Sequence, residues 1–226
     1  MLQNLHLRLD RDTLLTIGFH LLMLMGVWFY GWSAYALLIF YWLETLVIGL
    51  WTVILVAVTP KRPIRIFSGP TVAANTGIGM ALFVLAHAGI FMFVHLFMLQ
   101  GFFGMEGGPG AIFDLSGIVT LIVDGSLWLP LAGLFVIRAL MTHEVLRKGE
   151  SVDRPLIGFY FRTVVMQFAI IGGGFLGFII GAQAALIMLV IVRVGFELAV
   201  PSIEDYVEAH IDELRAKATK DRTNRG

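Results

Sequence analysis

The chain has 226 residues, of which 58% are hydrophobic and 14% charged, against about 25% charged in a typical soluble domain. Sixteen Lys and Arg balance sixteen Asp and Glu, so there is no basic footprint for nucleic acid. Without cysteine, disulfides, thiolate metal sites, iron–sulfur clusters and covalent haem are excluded, and 18 Phe, 5 Trp and 5 Tyr argue against a disordered chain.

A bilayer core of roughly 30 Å takes about 20 apolar residues of helix. Six stretches meet that need: residues 14–30, 34–58, 74–99, 115–141, 156–180 and 184–200. The fold class expected is all-α, a polytopic membrane bundle of six transmembrane helices over residues 1–200. Residues 201–226 follow as a cytoplasmic amphipathic surface helix and basic tail. In the first stretch, Asp10 and Asp12 precede the apolar run and no small-residue cleavage site follows it, so an anchor is expected rather than a cleaved signal. Between spans one and two, Trp28, Tyr30, Trp32 and Tyr35 read as an interfacial aromatic belt. Glycine-rich residues 101–110 read as an irregular outer loop. Span four is interrupted by Asp124-Gly125-Ser126 and Pro130, so a half-helix followed by a shorter span is the alternative there. His143 and Glu144, just beyond it, read as solvated loop residues. Gly173, Gly177 and Gly181 form two small-xxx-small steps in span five, suited to close helix packing or to a homodimer seam.

Charge alternates between the connections. Arg8 and Arg11, then Lys61, Arg62 and Arg65, then Arg147, Lys148 and Arg154, then Arg215, Lys217, Lys220, Arg222 and Arg225 occupy one side. The other three connections carry no Lys or Arg. The positive-inside rule places both termini in the cytoplasm of an inner-membrane protein. Beyond Pro201, Ser202 and Asp205 give a helix start, and Ile203, Tyr206, Val207, His210, Ile211 and Leu214 recur on one face. That pattern predicts a helix lying on the membrane surface, with a partner-docking helix as the alternative.

Ionisable groups inside a span are costly and face a cavity or a partner. At about 1.5 Å per residue, His20, Glu44, Asp124 and Arg193 fall roughly 15 Å below the outer surface, and His87, Gln167 and Glu197 roughly 20 Å below it. His95 falls on the outward side of this layer, roughly 7 Å down. His87 and His95 lie within about 80° of each other around their helix but about 12 Å apart along it. One ion therefore cannot take both without a strong bend. A metal would use one of them with Glu44, and zinc, iron or manganese suit such ligands.

Other readings stand beside the metal site. In one, Glu44 neutralises Arg193 and the histidines hydrogen-bond within a structural core. In another, Glu44 and His87 relay protons or line a solute pathway. In a third, His20 opposite His87 ligates haem b. Arg193 and Glu197, one turn apart, also suit an internal ion pair. No P-loop, Gly-x-Ser-x-Gly, His-Glu-x-x-His or dinucleotide fingerprint is present.

The segment Tyr41-Trp42-Leu43-Glu44-Thr45-Leu46-Val47-Ile48-Gly49, with the stretch from His87 to His95, resembles an uncharacterised bacterial integral-membrane family, a domain of unknown function. The resemblance runs from about residue 41 to 197. Glu44, His87, Gly89, Phe91 and His95 match its Tyr-Trp-x-Glu-Asn and His-x-Gly-x-Phe-x-x-x-His motifs. Thr45 replaces the usual Asn, and Gln167 stands where a histidine is expected. The resemblance implies a membrane protein with Glu44, His87 and His95 at its site, and names no chemistry.

Overall fold

The structure is a computed structural model. It describes residues 31–68, 74–103, 115–124 and 127–180, together with residues 18, 25, 29, 190–192, 194–196, 198–200, 202–207, 209–211 and 213. Its elements are all helical: α1 (Ala34–Val58), α2 (Ile78–Phe103), the short α3 (Leu115–Val123), α4 (Trp128–Lys148) and α5 (Asp153–Ile180), with one 3-10 turn at Arg65–Phe67. Of these, α1, α2, α4 and α5 are long and apolar enough to cross a membrane. Most of the first expected span and about half of the sixth lie outside the described residues. Among the described ones, residues 190–192, 194–196, 198–200 and, in the expected surface helix, 202–207 and 209–211 are helical.

The sequence explains each boundary. Ser33 caps α1, its hydroxyl accepting from the Ala36 amide at 3.1 Å. The expected start of the third span at residue 74 is corrected to Ile78. Residues 74–76 instead pair back on the loop after α1, through Ile64 N–H to Ala74 O at 2.8 Å and Thr76 N–H to Arg62 O at 2.8 Å. Gly77, at φ 135°, then turns the chain into α2. The fourth span is broken as its interruptions indicated: α3 ends at Val123 and α4 begins at Trp128. Pro130 falls in the first turn of α4, where its missing N–H costs little. The helix then runs on to Lys148, so His143 and Glu144 are helical rather than loop residues. It stops at Gly149 in the left-handed region, with Gly149 N–H on Leu146 O and Glu150 N–H on Val145 O.

Central to the packing is α1, which contacts α2, α4 and α5, while α2 also packs on α5. At Gly49 a Cβ would stand 2.7 Å from Cε2 of buried Phe159, so glycine permits the approach of α1 and α5. The core falls into two clusters. One holds Leu37 to Tyr41 of α1, Leu96 and Leu99 of α2, Ile118 of α3, Met166 and Ile170 of α5, and Val190. The other holds Ile48, Leu55 and Val56 of α1, Ala81, Val84 and Ala88 of α2, and Leu156 and Phe159 of α5. Gly173 and Gly177 lie in α5; Gly181 lies outside the described residues.

Candidate functional site

In α1, α2 and α5, buried polar side chains stand between the residues of the two apolar clusters. In α1, buried Glu44 and Thr45 separate residues of one cluster from residues of the other. In α2, the interval between Ala88 and Leu96 holds buried His95. In α5, buried Thr163 stands between Phe159 and Met166, with half-buried Gln167 one turn on. The result is a buried polar layer between two apolar clusters. Thr45 and Thr163 satisfy their hydroxyls within their own helices, donating to Tyr41 O at 2.9 Å and Phe159 O at 3.0 Å.

His95 differs from these. It is 1% exposed, and neither ring nitrogen has a hydrogen-bond partner. Gln167 is the polar side chain placed to hydrogen-bond the ring, and its amide nitrogen meets the sulfur of Met98 at 3.5 Å. Glu44 is 3% exposed. The indole N–H of Trp42 ties the two motif helices together, donating to Met92 O at 2.8 Å.

The other motif histidine lies apart. His87 is exposed on the surface of α2, with Nδ1 3.2 Å from the Tyr160 hydroxyl. Phe83 stacks on its ring at 5.6 Å, and Phe91 and Tyr160 flank it at 5.2 and 5.6 Å. The fold thus buries both Glu44 and His95 and leaves His87 exposed. Asp124 ends α3, outside the layer. His20, Arg193 and Glu197 lie outside the described residues. Among the described residues, no three His, Asp or Glu side chains gather as a metal would need.

The chain belongs to a family of unknown function (DUF6498). The family's model matches residues 4–223, which bears out the resemblance to a domain of unknown function. No curated protein and no solved structure matches the chain.

A second polar constellation escaped the reading of the sequence. Asp153, at the start of α5, is 1% exposed. Its carboxylate accepts from Arg65 Nε at 3.0 Å, the Ile66 amide at 3.1 Å and the Ser151 hydroxyl at 2.8 Å. Ser151 and Asp153 two residues before Pro155 were a helix-start signal, but nothing in the sequence told which basic residue would arrive. Tyr160 was equally unmarked as the partner of His87, being one aromatic among many in an apolar run.

Proposed function

We propose that the chain is an integral membrane protein of six spans, with both termini in the cytoplasm of a bacterial inner membrane. In this reading its buried polar layer takes a divalent transition cation. The observation that carries it is the His95 imidazole, buried with neither ring nitrogen in a direct hydrogen bond, in the same bundle that buries Glu44. Leaving buried polar atoms unmatched is costly, and a cation on one nitrogen would remove that part of the cost. An imidazole and a carboxylate suit zinc, iron or manganese. His20 and Glu197 are the further donors that the sequence offers near this depth.

Elemental analysis of protein made under metal-replete conditions tests the reading, with Glu44→Gln and His95→Gln alongside. Stoichiometric metal in the wild type and its loss in both variants, at unchanged folding, is the expected result. If Glu44 instead only neutralises Arg193, Glu44→Gln leaves a buried cation alone and costs about 3–5 kcal/mol. Thermal stability then falls with no metal effect, and the double change with Arg193→Gln recovers it. Metal-free wild type together with that recovery would sink the ligand role.

A second reading is a metal-free proton relay or transporter through Glu44 and His95. It is favoured by the burial of two ionisable side chains, Glu44 and His95, within apolar helices. It calls for a pH-dependent flux in liposomes that Glu44→Gln removes.

A further inference from the structure

We propose that the cavity between the inner ends of α1, α2, α4 and α5 binds the phosphate of an anionic phospholipid headgroup. The inference rests on the membrane reading above. The cavity has a volume of about 290 Å³, and its walls include Arg62 and Arg65 from one connection and Gly149, Ser151 and Asp153 from the other. These connections join the last residue of α1, Val58, to the first of α2, Ile78, and Lys148 of α4 to Asp153 of α5. In a bilayer the cavity therefore opens at headgroup level, where basic groups meet anionic lipid.

The charges in the cavity are not equivalent. The Asp153 carboxylate is already held by Arg65, Ser151 and the Ile66 amide, so it has little field left to repel an anion. Arg62 donates Nη1 to Gly149 O at 2.6 Å and pairs with no carboxylate among the described residues. That one bond orients the guanidinium and leaves its charge uncompensated. An exposed, oriented arginine fork beside a cavity is a receptor for a phosphate, which two parallel N–H groups match in shape and charge. Lys148, by contrast, is engaged by Glu144 at 2.7 Å and Glu150 at 3.7 Å, and Arg154 by Asp205. Arg62 is thus the cation in this region best placed to take a ligand.

The test uses the full chain in phosphatidylcholine nanodiscs, titrated with fluorescently labelled phosphatidylglycerol. Arg62→Gln is expected to weaken binding about tenfold, the worth of a charge-assisted contact. Arg62→Lys, which keeps the charge without the fork and carries less risk to folding, should fall between that variant and the wild type. Lys61→Gln, a neighbouring charge not lining the cavity, should change binding by less than about twofold. Equal losses at Lys61 and Arg62 would show only diffuse attraction to basic loops and overturn the proposal, as would unchanged binding in both Arg62 variants. Saturable binding of inorganic phosphate with no binding of the lipid would overturn the lipid assignment. Co-flotation with phosphatidylcholine vesicles is scored separately, since its failure counts against the membrane reading itself.

Discussion

Gly49 carries no chemistry, yet the meeting of α1 and α5 depends on it. A Cβ there would press on the ring of Phe159, which is fully enclosed and has nowhere to swing. Alanine gains roughly 1 kcal/mol of helix propensity over glycine, so Gly49→Ala sets a small gain against a collision. Gly49→Leu has nearly the same propensity gain but a far larger collision, and should cost about 1–3 kcal/mol through overpacking, seen as a lower melting temperature in lipid. A melting temperature unchanged by leucine would mean the two helices part easily. At this scale the sequence was informative about polarity and silent about partners. Glu44 and His95 stood out because charge and imidazole are rare in apolar runs. The exposed position of His87 did not, because eight residues of helix leave both rings within a quarter-turn, and only the neighbours of α2 decide which ring is covered.

Among the elements, the inner ends of α4 and α5 show how a basic loop can be structural. Arg62 closes on the carbonyl of Gly149, and Arg65 on Asp153, so the connection after α1 staples the turn between α4 and α5. Asp153→Asn keeps the shape but removes the charge facing Arg65. Because Arg65 remains partly exposed, the loss should lie near the lower end for a broken buried pair, about 3 kcal/mol. Thermal melts of this variant and of Arg65→Gln, alone and combined, check it; simple additivity would mean the pair is not coupled. The C-terminal segment adds a further contact here, with Asp205 on Arg154 and the Glu204 carboxylate over Gly158 beside Arg162. The amphipathic periodicity after Pro201 was visible in the sequence. Its ion pair to α5 was not, since surface charges carry no address.

For the molecule as a whole, the loop charges make a sharp claim about orientation. A reporter fused after Arg225 should be active in the cytoplasm, and one inserted within residues 104–110 should report the opposite side. The reverse pattern, or an odd number of crossings, would overturn the six-span arrangement. The long helices were legible because hydropathy over twenty residues leaves few alternatives, and α1 runs over the expected limits, Ala34–Val58. Boundaries set by tertiary pairing were not legible. Residues 74–76 are held out of α2 by their hydrogen bonds to the loop at 62–64 and by the positive φ of Gly77.

The division of the core has a consequence for cooperativity. Two apolar clusters that share helices but are parted by Glu44, Thr45, His95 and Thr163 need not open together. Contiguous contacts define the units in which a protein exchanges its amide hydrogens. The helix halves around Ile48, Val84 and Leu156 are further braced by the hydrogen bonds between residues 62–64 and 74–76 and by the Asp153 pair. Amides of that half should therefore exchange more slowly than those around Leu37, Leu96 and Met166, with a step in protection along α1 near Glu44. Uniform protection along α1 would mean that the polar layer welds the two halves into one unit; a step would mark the plane at which the bundle can yield without unfolding.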